Sequence, residues 1–314
     1  MEQDERMHEE LRVKEKKKQE GKLRARELAI AKQTESDIHT GVKESSSSTR
    51  HGAKNQHRHK HFAKWLLSTF PHVLDECVDR APIKDTGTQN PMHILDVAGG
   101  KGELSARLCL CHSLHVTMVD PRQADIKSVY MNSVVPKLPN KWQASIDERI
   151  RDCPTFVDDL LERRYYQFVM PFDVPSLEIY QRGQPEESFD HQRNKFQSDM
   201  QPILDRAVRN ASLIVGLHAD SATEAIVDAA LIYNKPFVVV PCCVFPNLFK
   251  NRFITVPVQV DVENADGGGG EQIRQIPVRT HEQFCEFLLK KDPRFKREIL
   301  PFEGRNVAIW WAGK

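Results

Sequence analysis

At roughly 100–200 residues per domain, a chain of 314 residues holds one large domain with appendages, and its 39% hydrophobic and 28% charged content is slightly apolar-poor for a globular protein. No run approaches the ~18 apolar residues of a membrane-spanning helix. The opening Met1-Glu2-Gln3-Asp4-Glu5 has neither the apolar stretch of a secretory signal nor the acid-poor character of a mitochondrial presequence, so a cytoplasmic or nuclear protein is expected.

A net charge of +1 sets up no whole-protein field to attract nucleic acid, so any basic patch has to be local. The seven cysteines form no C-x-x-C pair, which fits a reducing compartment. Cys109 and Cys111 make a C-x-C, and Cys242 and Cys243 are adjacent; neither has the spacing of a structural zinc site.

Residues 1–50 mix Glu9, Glu10, Lys14, Lys16, Lys17 and Lys18 with Gln and Arg, and end near the serine run 45–48. A helix-forming stretch over 23–31 carries no sustained apolar stripe. This is the composition of a disordered charged tail.

Residues 51–90 are expected to be a basic helical lead-in. His57, Arg58, His59, Lys60 and His61 are crowded together without a carboxylate or cysteine, so they suit a protonatable entrance to a helix better than a metal site. Phe62, Trp65, Leu66, Thr69 and Phe70 repeat at three and four and predict a helix that stops at Pro71. A second helix is predicted over 73–78, followed by a loop rich in Pro, Gly and Thr.

From residue 91 strands and helices alternate, which implies a parallel sheet with right-handed crossovers. Strands are predicted over 92–97 and 115–119, with a glycine-rich turn and a helix between them. An insert with many aromatic residues is expected around 123–175. A third strand is expected over 176–180, a helix over 196–208 and a strand over 212–216. The helix after that strand would be capped by Ser221-Ala222-Thr223-Glu224. A buried strand over 236–240, a β-branched run over 253–262, a glycine loop over 267–270 and a helix capped by Thr280 come next. Residues 297–302 and 307–311 read as a terminal β-hairpin.

Ala98-Gly99-Gly100-Lys101-Gly102-Glu103 joins the first strand to its helix. A strand that opens through glycines into a helix presents unpaired N–H groups and a positive helix end, which suits an anion or a nucleotide-like ligand. The spacing is neither G-x-G-x-x-G nor a Walker A loop. About 20 residues later Asp120 sits at the carboxyl end of the second strand, where an acid faces the ribose hydroxyls of a bound nucleoside.

The segment Ile94-Leu95-Asp96-Val97-Ala98-Gly99-Gly100-Lys101-Gly102-Glu103-Leu104 resembles the first motif of class I S-adenosylmethionine-dependent methyltransferases. Val119-Asp120-Pro121-Arg122 is similar to their acidic second motif, and the terminal hairpin to their last two strands. Gly216-Leu217-His218-Ala219-Asp220, Val240-Pro241-Cys242-Cys243 and Leu300-Pro301-Phe302-Glu303-Gly304-Arg305-Asn306 resemble a subgroup of methyltransferase-like proteins with G-L-H and P-C-C segments.

The resemblance implies an α/β fold with a doubly wound, mostly parallel seven-stranded sheet and an antiparallel terminal hairpin over about 60–314. It also implies a methyltransferase that binds S-adenosylmethionine through Asp96, Ala98, Gly99, Gly100, Gly102 and Asp120. His218 and Asp220 are the catalytic candidates, with Cys242 and Cys243 in the substrate pocket. The Asn/Asp-Pro-Pro-aromatic segment of base amino methyltransferases is replaced here by Leu217-His218-Ala219-Asp220, which speaks against N6-adenine-type chemistry.

The acceptor is not identified by these motifs; RNA and protein are the candidates, on the strength of the basic segment 58–64 and the aromatic residues after 123. Two other classes compete: a non-catalytic cofactor-binding or interaction module of the same fold, and a nicotinamide-dependent dehydrogenase. No metal is expected. Zinc on the cysteine pair and His218 would need about four ligands, and no further cysteine or histidine falls at those strand ends.

Overall fold

The computed structural model describes residues 57–79, 92–172, 202–258 and 272–313. The expected charged tail, the strand over 176–180 and the glycine loop over 267–270 lie outside the described residues.

In chain order, helices α1 (Arg58–Thr69) and α2 (Pro71–Asp75) precede β1 (His93–Val97). Helix α3 (Glu103–Ala106) widens into a π-turn over Arg107–Cys111 before β2 (Val116–Val119). Helix α4 (Ile126–Val129) continues through a π-turn and a 3-10 turn to Lys137, and α5 (Asn140–Asp152), α6 (Phe156–Arg164) and β3 (Tyr165–Phe168) follow. Helix α7 over 202–210 runs directly into β4 (Ala211–Leu217). Then come α8 (Thr223–Tyr233), β5 (Phe237–Val240), β6 (Phe253–Val258), β7 (Gln272–Pro277), α9 (His281–Leu289), β8 (Lys296–Ile299) and β9 (Val307–Trp311).

Seven strands form one sheet in the order β3-β2-β1-β4-β5-β9-β8, while β6 and β7 pair as a separate antiparallel hairpin. Strands β1 to β5 are parallel to one another, and β9 runs antiparallel to both β5 and β8. This is the doubly wound Rossmann-like methyltransferase arrangement implied above. The strand order reverses at β1, which lies between β2 and β4, so the crevice of the fold opens beyond the carboxyl ends of β1 and β4.

The central strands β1, β2, β4 and β5 are buried on both faces, as a parallel sheet covered by helices requires, while the edge strands β3 and β8 are partly exposed. Alternate residues divide between two cores. Ile94, Val116, Met118, Leu213, Val215 and Val238 pack with α1 to α6, and Leu95, Val97, Ile214, Phe237, Val239 and Ile309 pack with α7 to α9.

Helix α1 buries Phe62, Ala63, Trp65 and Leu66, at roughly 1.5–3 kcal/mol for each large side chain. Trp65 and Phe70 meet Trp310 of β9 edge to face, with ring centroids 5.8 and 5.6 Å away. The basic lead-in therefore shares the core of the sheet.

Several local expectations change. The second helix starts at Pro71, whose missing N–H suits a first turn, and Val78 bridges to Leu114. Tyr165, Tyr166, Gln167 and Phe168, within the segment read as an insert, form the third strand of the sheet. The capping box expected at Ser221 is absent: Asp220–Ala222 is a 3-10 turn, Thr223 Oγ1 donates to the Asp220 carbonyl at 2.9 Å, and Glu224 pairs with Arg252 at 2.6 Å instead. At α9 the box is complete, with Thr280 and Gln283 capping one another. All seven cysteines are free thiols. Among the described residues no helix is long and apolar enough to cross a membrane.

Candidate functional site

The carboxyl ends of β1, β2, β4 and β5 and the turns that follow them carry the candidate cofactor, catalytic and pocket residues. Asp96 is the fourth residue of β1 and is 1% exposed; it accepts a hydrogen bond from Ser105 Oγ of α3 at 2.6 Å. Burial, reinforced by the charge of Asp120, pushes its carboxyl up to about 7. Ala98 and Gly100 take left-handed φ values of 55° and 63°, so the chain turns sharply as it leaves the strand.

The glycines do different work. A Cβ on Gly99 would stand 2.5 Å from Met118 Sδ and 2.9 Å from Asp96 Oδ2. On Gly102, at φ +81°, it would meet Ile126 Cδ1 at 2.1 Å. Gly100 has open space, with only Arg122 Nη2 at 3.8 Å. Gly102→Ala is expected to cost at least roughly 1–2 kcal/mol for the left-handed backbone, with the buried Ile126 methyl having to shift as well. Urea unfolding reads this directly, and a variant as stable as wild type would show that the turn adopts another conformation.

Asp120 follows β2 and is 1% exposed. Its Oδ2 accepts the Gly100 N–H at 2.8 Å, and its Oδ1 accepts the Arg122 N–H at 2.9 Å and Nε at 3.1 Å. Burial works against its charge, but the donors from Arg122 and Gly100 prevail and hold the carboxyl below its ordinary range. Arg122 itself is 75% exposed.

Glu103 opens α3 and accepts from His59 at 3.2 Å, Arg107 at 3.1 Å and Lys137 at 3.4 Å. Against the cost of burial these partners lower its carboxyl to about 2. The one sequence signal for this cluster is the four-residue spacing of Glu103 and Arg107; His59 and Lys137 come from separate segments, and the cluster fastens the basic entrance of α1 to the helix that follows the glycine turn.

His218 leaves β4 with φ 58°, and its Nε2 lies 2.8 Å from the Arg305 carbonyl. A carbonyl only accepts, so Nε2 carries the proton and Nδ1 keeps its lone pair. Burial lowers the His218 pKa, with nearby Arg58 and His59 acting in the same direction, so the ring is neutral at pH 7.

Asp220, at φ 49°, is exposed and makes no side-chain cap to the following turn. Its Oδ1 accepts from Cys242 Sγ at 3.1 Å, and Cys242 Sγ is 3.4 Å from Cys243 Sγ. The pairing of β4 with β5, Leu217 beside Val240, brings these exits together. Burial raises both thiols, and the Asp220 carboxylate adds to the effect, so neither is a thiolate at neutral pH.

Two cavities lie elsewhere. One of about 590 Å³ lies along the amino-terminal side of β1 to β3, lined by His93, His115, Tyr165 and Arg206. A groove of about 580 Å³ is bounded by α1, α5 and α6. Lys60, Lys64, Arg107, His112, Arg149 and Arg164 line it without any carboxylate, and Trp142 beside them is 61% exposed.

No protein-family model matches this chain, and no curated protein matches it. Among solved structures, the chain is similar to an S-adenosylmethionine-dependent methyltransferase from Clostridium acetobutylicum, with 12% identity, 81% of this chain and 92% of that chain covered, and a TM-score of 0.31. It is also similar to an amino pentose methyltransferase from Micromonospora echinaspora involved in calicheamicin biosynthesis, solved with S-adenosylmethionine bound. There the identity is 10%, the coverage 86% and 99%, and the TM-score 0.31. At these values neither likeness bears on chemistry.

Proposed function

We propose that the chain is an S-adenosylmethionine-dependent methyltransferase. One observation carries this reading: a buried acid at the carboxyl end of β2 is hydrogen-bonded to the glycine turn of β1, at the switch point of a sheet whose β9 is antiparallel. The cofactor supplies an electrophilic methyl group, and the protein supplies placement.

Gly100, which faces open space, keeps a side chain out of the path of a ligand lying along the turn, while Gly99 and Gly102 let the turn pack against Met118, Asp96 and Ile126. Asp120 has the charge to hold a ribose diol. Its oxygens are occupied by protein donors, so a diol would displace Arg122, which reaches in from solvent. Asp96 and Ala98 shape the base of the same turn. At the exit of β4 the neutral His218 has an Nδ1 lone pair that can take a proton from an acceptor as it is methylated. Asp220, Cys242 and Cys243 border the acceptor side.

Isothermal titration of S-adenosylmethionine against NAD tests the class. Binding of the first alone is expected. Binding of neither points to the non-catalytic module, and binding of NAD alone to a dehydrogenase.

For the acceptor, RNA is the class that the α1–α5–α6 groove favours: Arg107 and Arg164 on its wall are paired with Glu103 and Asp79, but Lys60, Lys64 and Arg149 line it with no carboxylate in the lining, beside an exposed indole on which a base can stack. Tritiated-methyl transfer into fractionated RNA, protein and small molecules from cells lacking the gene should label RNA. Label confined to protein would replace this reading with a protein acceptor.

A further inference from the structure

The group at the ends of β4 and β5 has a chemistry that methyl transfer does not require. Cys242, Cys243 and Asp220 each offer one ligand atom, and these atoms lie within 4.8 Å of one another. Among the described residues no other three histidine, cysteine or acidic side chains do so. The three lie in the segments that leave two parallel neighbouring strands, Asp220 three residues beyond β4 and Cys242 and Cys243 two and three residues beyond β5.

We propose that Asp220, Cys242 and Cys243 form a binding site for a soft divalent cation of the zinc class. Two sulfurs and one oxygen select zinc over magnesium, calcium or manganese, which prefer all-oxygen sites. Tetrahedral zinc with bonds of about 2.3 Å to sulfur holds two ligating sulfurs about 3.8 Å apart. The Cys242 and Cys243 sulfurs are 3.4 Å apart, so the pair has to open by only about 0.4 Å.

On binding, each thiol exchanges its proton for a bond to the metal and the two protons leave to solvent, with no change of oxidation state. The anionic ligand set has cations close by: Arg122 feels the charge of Asp220, and Arg305 that of Cys243. Neither neighbouring histidine joins the set: no ring nitrogen of His218 or His281 lies within 4.8 Å of all three ligand atoms, and His281 Nε2, 2.9 Å from the Pro241 carbonyl, steadies the turn just before Cys242. Three protein ligands leave a fourth position for water or an added ligand, the pattern of an open zinc site rather than a closed structural one. No further cysteine or histidine falls at these strand ends in the sequence; the geometry supplies Asp220, and an open site needs no fourth protein ligand.

The inference does not depend on cofactor binding, and its test uses the full chain without S-adenosylmethionine. The reduced, chelator-treated protein is titrated with Co²⁺ as the probe and then with Zn²⁺. A thiolate-to-cobalt charge-transfer band saturating at one ion per chain and bleached by Zn²⁺ is expected. Cys242→Ser with Cys243→Ser should abolish the band. Asp220→Asn should keep it while weakening binding by at least about tenfold, the loss seen even for groups one step outside a metal's ligands. Cys153→Ser, at an exposed thiol elsewhere, should change nothing.

Should the double variant fail to fold, alkylation of the wild type decides the matter: Zn²⁺ should slow modification of Cys242 and Cys243 and leave Cys153 unaffected, as mapped by mass spectrometry. Absence of the band, its survival in the folded double variant, or equal alkylation with and without Zn²⁺ would overturn the site.

Discussion

Asp120→Ala is expected to weaken S-adenosylmethionine binding by about 10- to 150-fold, and Arg122→Ala is expected to leave affinity unchanged or raise it. The first figure follows from removing charge-assisted hydrogen bonds worth roughly 1.5–3 kcal/mol. The second follows from the position of Arg122: it lies 75% exposed over the same oxygens that a ribose diol would use, and an exposed ion pair adds little that solvent does not replace. Asp120→Asn should behave like Asp120→Ala, because the partners of Asp120 are all donors and an amide nitrogen would set donor against donor. Isothermal titration reads all three variants. Equal losses in Asp120→Ala and Arg122→Ala would mean that the pair binds as a unit, and an unchanged Asp120→Ala would remove this acid from the site. Melting curves separate lost affinity from a turn that no longer holds its Gly100 hydrogen bond.

What could be read from the sequence was what repeats or stays local. The parallel core is legible because its strands are short runs of β-branched residues set off by Gly, Pro and Asp, and the β1 turn because closely spaced glycines mark it, Gly100 and Gly102 at left-handed φ and Gly99 packed against Met118. The Thr280 capping box is legible because its two partners are three residues apart. Strand β3 is not, since Tyr165, Tyr166, Gln167 and Phe168 lie at a sheet edge where one polar and three aromatic residues suit a loop equally well. The hairpin strand β7, with Gln272, Arg274 and Gln275 among its six residues, is too polar to stand out. In the candidate site the residues could be named from motifs, but their partners could not. The Gly100–Asp120 and Asp220–Cys242 contacts span 20 and 22 residues, and the Glu103 cluster joins α1, α3 and the end of α4. Ser221-Ala222-Thr223-Glu224 shows the converse: its spacing satisfies a capping rule, yet burial of Arg252 makes a stronger claim on Glu224.

Raising the pH from 5 to 8 is expected to cost wild type stability that Asp96→Asn retains. In the unfolded chain an aspartate titrates near 3.9, whereas in the fold burial, with Asp120 adding and Ser105 opposing, pushes Asp96 up to about 7. Between those values the native state holds a proton that the unfolded state has released. The contribution of Asp96 to stability is therefore full below about pH 4, falls as pH rises through about 7, and is level above that. Three units of separation correspond to at most roughly 4 kcal/mol.

The histidines act with the opposite sign: burial lowers His112, His115, His218 and His281, so the unfolded state takes up more protons as pH drops and stability rises towards pH 7. For that reason the informative quantity is the difference between wild type and Asp96→Asn at each pH, in which the histidines cancel. Asparagine keeps the shape of the side chain and an oxygen for Ser105 Oγ, and it carries no charge to bury. Urea unfolding at pH 5, 6, 7 and 8 should give a variant that gains on wild type by a few kcal/mol across the series, most of it between pH 5 and 7. A difference that stays flat across the series would show that the Asp96 carboxyl ionises normally and is reached by water.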